Sequence, residues 1–126
     1  MESLIAAKEL WNPQIVFCPS SFDIHQDHQV MNQEAIRAFR NSASIYGYSF
    51  IWNIPKGECL NMFCEVDEEL LAIKEKALQC YKSQIAKKTI YFERDFVKTI
   101  AMAHGAMCGF KYAEAFEVIR ERICLK

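Results

Sequence analysis

The chain has 126 residues, of which 52% are hydrophobic, 13% aromatic and 25% charged, enough apolar material for one folded domain and too much for a disordered tail. Its formal net charge of −1 provides no overall field toward nucleic acid or an anionic membrane, and its charge clusters (Asp67-Glu68-Glu69, Lys87-Lys88) are short. The opening M-E-S-L-I-A-A-K-E-L carries charges throughout, so it matches neither a secretion signal nor a membrane span.

Ser3 to Leu10 reads as the last turns of a helix, with Trp11 following. Asn12-Pro13 ends it, because a residue before proline avoids the α region. Gln14 to Cys18 (Q-I-V-F-C) is a short apolar run between two prolines and reads as a buried strand, with Pro19 to Asp23 as the loop at its carboxyl end. From Asp27 to Arg40 the period is helical, with His28, Met31, Ala35 and Phe39 on one face. Asp23 or Ser21 is placed to cap this helix, and Asp27 lies near the positive end of its dipole. Ile45 to Asn53 alternates, with Tyr46, Tyr48, Phe50 and Trp52 on one side, and reads as a second strand. Strand, helix, strand in this order predicts a right-handed parallel βαβ unit.

Met62 to Val66 follows as another short strand. Asp67 to Tyr81 is predicted helical, with acids in its first turn and Leu70, Ile73, Ala77 and Tyr81 as its apolar stripe. Glu93 to His104 is a further helix on the stripe Phe96, Ile100, Ala103 and Met107, stopped by Gly105 or Gly109. Tyr112 to Ile119 alternates imperfectly and reads as a last strand. With no repeat, low-complexity tract or Pro/Gly-rich linker, residues 1–126 read as a single α/β domain. It opens inside a helix, where an α/β domain usually begins with a strand and a site-building loop. Six cysteines (Cys18, Cys59, Cys64, Cys80, Cys108 and Cys124) form no C-x-x-C pair, and without a secretion signal they are expected to be reduced, mostly buried thiols in a cytoplasmic protein.

The chemistry concentrates in S-S-F-D-I-H-Q-D-H-Q-V, Ser20 to Val30, which holds two of the three histidines. The crevice outside the carboxyl ends of parallel strands is where α/β proteins bind ligands. An imidazole at His28 can ligate a divalent metal through one nitrogen while the other is held by an acceptor. His25 lies one helical turn away, and Asp27 is placed to orient an imidazole. An oriented histidine can steady an oxyanion or protonate a leaving amine. A catalytic zinc takes about three protein ligands and an open position for water. A loop wrapping the ion with Asp23, His25, Asp27 and His28 alone is geometrically poor. The remaining histidine, His104, reads as a helix C-terminal residue satisfying the last carbonyls.

Pro13 to Val30, P-Q-I-V-F-C-P-S-S-F-D-I-H-Q-D-H-Q-V, resembles the second metal-site motif of the PIG-L/LmbE-like zinc-dependent deacetylases. Y-K-S-Q (Tyr81 to Gln84) and G-x-x-Y-A-E-A-F-E (Gly109 to Glu117) resemble bacterial members. The resemblance implies a Rossmann-like three-layer fold and hydrolysis of the acetamido group of an N-acetylglucosamine-like amino sugar or glycoconjugate. It implies zinc as cofactor, His28 as a zinc ligand, His25 as the oxyanion stabiliser and Asp27 as its support. The family's first motif, A-H-P-D-D-E, has no counterpart here. The chain therefore resembles the C-terminal part of such an enzyme, a partial three-layer fold without the first βα unit. Two readings follow. Either this is part of an amidohydrolase, completed by an N-terminal polypeptide or a homo-oligomer, or it is a catalytically inactive α/β module that binds or builds as an oligomer. Nothing in the pattern assigns Glu114 and Glu117 a role beyond matching the family string; buried strand residues and substrate-loop contacts are both open.

Overall fold

The computed structural model describes residues 2–54, 57, 59–87, 89–92 and 94–123, with Arg94 described by its backbone. In chain order these form α1 (Glu2–Trp11), β1 (Ile15–Pro19), α2 (Gln26–Phe39), β2 (Ser44–Tyr48), a 3-10 turn (Ile51–Asn53), β3 (Met62–Glu65), α3 (Glu68–Leu78), α4 (Lys82–Ile85), a second 3-10 turn (Ile90–Phe92), α5 (Arg94–Cys108) and β4 (Ala113–Arg120). The architecture is mixed α/β, with four strands in the order β1-β2-β4-β3. β1 and β2 pair in parallel from Ile15↔Ser44 to Pro19↔Tyr48, as the strand-helix-strand order predicts. β4 runs antiparallel to β2, with a register irregularity between Ile45 and Tyr46. Two compact units are present, one formed by Met1–Met62 with Ala115–Lys126 and the other by Phe63–Glu114. No helix among the described residues is long and apolar enough to cross a membrane.

In the first unit α1 stops at Asn12, whose φ of 40° lies in the left-handed region that asparagine tolerates. The Asn12 N–H bonds the Lys8 carbonyl at 2.9 Å, and Pro13 cannot continue the helix. β1 is not the fully buried strand expected. Ile15 and Phe17 are 53% and 51% exposed, while Val16 and Cys18 face the core. The reason is position: β1 ends the strand order, and the helix packing covers the other face. That core consists of Cys18, Ala35, Ala38, Phe39, Ala43 and Ile45, joined by Leu4, Val16, Ile36 and Ile119. Alanines at 35, 38 and 43 let α2 lie close to the sheet, and Ile45 on the interior strand is fully buried.

α2 buries Asn32, Ala35, Ala38 and Phe39, so Met31, expected on the inner face, is exposed. The strand expected through Asn53 ends at Tyr48, and the chain turns into the 3-10 segment through an Asn53 N–H to Phe50 carbonyl bond of 2.8 Å.

The second unit packs around Leu71, Val97, Ala101 and Tyr112, with Val66 and Leu78 against them. Asp67 caps α3 by accepting the Leu70 N–H at 2.8 Å. The buried edge of α3 is Leu71 and Leu78, spaced i, i+7, and the expected stripe of Leu70, Ile73, Ala77 and Tyr81 is exposed. Both stripes satisfy a helical period, and only packing selects between them. α5 is displaced in the same way, onto Val97, Ala101 and Gly105, leaving Ala103 and Met107 outside. Gly105 does not stop α5. A Cβ there would lie 2.6 Å from the Phe110 carbonyl oxygen, so the residue admits close backbone packing. The stop is Gly109, with φ 85°, whose N–H and that of Phe110 bond the Gly105 carbonyl at 2.9 and 3.0 Å. His104 consequently sits inside α5 and not at its end. The expected first residue of this helix, Glu93, lies outside the described residues, as do Lys88 and Cys124. Of the described cysteines only Cys18 is buried, whereas Cys59 and Cys80 are exposed and Cys64 and Cys108 are intermediate, so mostly buried thiols are not observed. Cys64, Cys80 and Cys108 belong to the second unit, whose small core leaves them on surface or half-covered positions.

Candidate functional site

The site grows from the carboxyl end of β1, within the first unit. Asn32, on the buried face of α2, donates from Nδ2 to the Pro19 carbonyl at 2.7 Å and contacts Cys18 Sγ at 3.8 Å. This ties the strand end to the helix that follows it. The Ser20 N–H bonds the Tyr48 carbonyl at 2.8 Å, continuing the parallel ladder by one residue.

Glu117 on β4 then holds the loop. Its Oε2 accepts from Ser20 Oγ and from the Ser21 N–H, both at 2.8 Å, and its Oε1 accepts from Ser21 Oγ. Gly47, beside it on β2, makes room: a Cβ there would be 2.9 Å from both Glu117 Oε2 and Ser20 Cα. Burial pushes the Cys18 thiol up to about 11, with the negative charge of Glu117 adding to the effect and the Asn32 bond opposing it. Burial also raises the Tyr48 hydroxyl, with Cys18 and Asp23 contributing.

Asp23 is the centre of the loop. Its side chain is fully buried, its Oδ1 accepts the His25 N–H at 2.8 Å, and its Oδ2 lies 2.7 Å from His28 Nδ1 and 3.4 Å from Asn53 Nδ2. Every group around this carboxylate is a donor, so His28 gives its Nδ1 proton to Asp23, and in the neutral ring Nε2 is then the nitrogen with the lone pair. Asp23 therefore does not cap α2 and Ser21 does not either. Ser21 is turned to Glu117, and the cap is His25, whose Nδ1 accepts the Asp27 N–H at 3.3 Å. With Nδ1 accepting, a neutral His25 carries its proton on Nε2. Asp27 thus reaches the His25 ring through its main chain, and its own side chain is exposed.

The two imidazoles lie with ring centroids 4.7 Å apart, and His28 stacks on Phe50 at 5.1 Å. The structure brings together His25, His28 and Asp23, and adds Asn32, Asn53, Phe50 and Glu117, none of which the sequence pattern singled out for the site. A trace of Asn32 was present: it is an amide one helical turn beyond His28, at a position the alanines mark as inward. Among the described residues, no group of three or more His, Cys, Asp and Glu side chains is arranged to hold a metal ion. Asp23 is consumed by its three donors and Asp27 faces outward, which leaves His28 Nε2 as a single donor. These residues do not fit a zinc ion by themselves.

No protein-family model and no curated protein matches this chain.

Proposed function

We propose that this chain carries one half of a PIG-L/LmbE-type hydrolytic site, on a partial Rossmann-like fold lacking the first βα unit. The substrate is the acetamido group of an N-acetylglucosamine-like sugar. The observation that supports the reading is the buried Asp23 carboxylate, 2.7 Å from His28 Nδ1 and fully withdrawn from solvent. A buried carboxylate on the far nitrogen of an imidazole fixes its tautomer and aims Nε2 outward, as metal-ligating histidines require. His25 accepts the Asp27 N–H at Nδ1, so its neutral ring carries an Nε2–H donor, and the ring centroid lies 4.7 Å from that of His28. A donor so placed stabilises the oxyanion that forms when an amide carbonyl is attacked. Among the described residues His28 contributes one ligand, and the remaining zinc ligands and the general base come, in this reading, from a complementing N-terminal polypeptide or a second copy.

The test is acetate release from N-acetylglucosamine derivatives with zinc present. The chain is assayed alone, and again mixed with the N-terminal half of a PIG-L-type deacetylase that carries A-H-P-D-D-E. The expected result is no turnover alone and turnover in the mixture. His28→Ala abolishes that turnover and His25→Ala lowers it by roughly 10²–10³-fold, the scale of one lost oxyanion donor. Folded components without turnover, or turnover indifferent to both substitutions, overturns the reading in favour of the inactive oligomeric module.

A further inference from the structure

β1 ends the strand order β1-β2-β4-β3, so among the described residues no strand lies beyond its outer edge. The hydrogen bonds show which groups that edge offers. The Ser44 N–H donates to the Gln14 carbonyl and the Ser20 N–H to the Tyr48 carbonyl, both at 2.8 Å, at the two ends of the parallel register. Residues 14, 16, 18 and 20 therefore turn their main chains toward β2, and residues 15, 17 and 19 turn theirs outward. Pro19 has no N–H, and its carbonyl already accepts from Asn32 Nδ2 at 2.7 Å. The open edge is thus the N–H and C=O of Ile15 and of Phe17, both half-exposed residues. Edge strands are ordinarily blunted by a lysine, a proline or a bulge within them. Q-I-V-F-C, Gln14 to Cys18, carries no charge and no proline, and it pairs with β2 without a register break.

We infer that this edge is an interface, taken by β1 of a second copy of the chain in antiparallel register about a two-fold axis at Val16. The interface goes beyond the hydrolase reading and does not depend on it. A second copy fits because the edge is self-complementary. Antiparallel strands exchange bonds between residues whose main chains both face the seam. With the axis at Val16, Ile15 of one copy lies opposite Phe17 of the other and exchanges both main-chain bonds with it, and symmetry repeats the pair. Pro13 and Pro19 each stand three residues from Val16, so the residues that cannot donate fall opposite each other. No like charges meet across the seam, since Pro13 to Phe22 contains no charged residue. Each Ile15 side chain lies against a Phe17 ring that already packs on Tyr46 and Phe116, with centroids 5.8 and 5.0 Å away. One apolar layer then runs through both copies, built of aliphatic–aromatic cross-strand pairs.

The test is sedimentation velocity of the full chain over a range of concentrations, with amide hydrogen exchange read residue by residue by NMR. The expected result is a reversible dimer in which the Ile15 and Phe17 amides gain protection as concentration rises. Two double variants separate strand pairing from general stickiness, because both remove the same apolar side chains from exposed positions. Ile15→Lys with Phe17→Lys sets lysine opposite lysine and weakens association. Ile15→Glu with Phe17→Lys sets glutamate opposite lysine in this register and associates about tenfold more tightly than the first. A chain that is monomeric at every concentration overturns the interface. So does a dimer whose Ile15 and Phe17 amides exchange as fast as in the monomer, or a pair of double variants that associate equally. Exchange on the unaltered chain decides the matter even where a variant does not fold. Protection of these amides in a monomeric chain only on adding a polypeptide that carries A-H-P-D-D-E also overturns the second copy and gives the edge to that partner.

Discussion

At the scale of single residues, Asp23 decides more than either histidine. It is a buried carboxylate with three donors, and replacing it with alanine strands the His25 N–H and frees the His28 ring. Leaving buried groups unpaired in this way costs about 1–3 kcal/mol. Asp23→Ala is therefore expected to lower the urea midpoint and to move the His28 proton from Nδ1 toward the mixed tautomers of a free imidazole, read from its ring nitrogen shifts. Cys18 makes a separate prediction. Its thiol stands at about 11 in the fold against an ordinary value of 9.0, so between these values the folded chain holds a proton that the unfolded chain has released. Stability should be intact below pH 9 and fall as pH rises from about 9 to about 11, and Cys18→Ala should flatten that fall in pH-dependent denaturation. The Asp23 contacts to the histidines are local, two and five residues along, whereas the Cys18 shift comes from burial and from Glu117, far along the chain, and no pattern of residues shows it.

At the scale of elements, the strand ends matter most. β1 delivers Ser20, β2 passes beside it through Gly47, and β4 supplies Glu117 to both serines. Gly47→Ala puts a methyl 2.9 Å from the Ser20 backbone and from a carboxylate oxygen already engaged by two serines. It is expected to cost about 1–3 kcal/mol in chemical denaturation, as overpacking does, and to shift the resonances of His25 and His28. Glu117 stood in the chain as one of two unexplained glutamates, and the pairing of β4 with β2 separates them. Glu117 turns to the serine loop, while Glu114 pairs with Lys74. Helix periodicity was a weaker guide. In α3 and α5 the chosen apolar stripe was rotated from the buried one, since Leu70 and Leu71, or Ile100 and Ala101, serve a 3.6-residue repeat almost equally.

At the scale of the whole molecule, the buried apolar residues that are described include two clusters, one built on Ile45 and the other on Leu71. Ile45→Ala should cost about 2–5 kcal/mol, as for other large-to-small changes in a packed core. The loss should appear as faster amide exchange in α2 and β2, the elements around Ile45. Among the exposed apolar residues of the first unit, Leu10 and Trp11 lie on α1 and Ile15 and Phe17 on β1, away from that core.

The sequence by itself determined the class and the order of elements, because strand and helix periods, prolines and caps act over a few residues. It also located the loop at the end of β1 and the two histidines in it, since their chemistry is local and their spacing short. The ring nitrogens are oriented by neighbours two and five residues away, at Asp27 and Asp23. Which carboxylate holds the serines, which amide joins Asp23 and which aromatic rings lie beside the histidines were decided only by tertiary structure, because Glu117 meets Ser20 across 97 positions and Asn53 meets Asp23 across 30, and no local period records such a meeting.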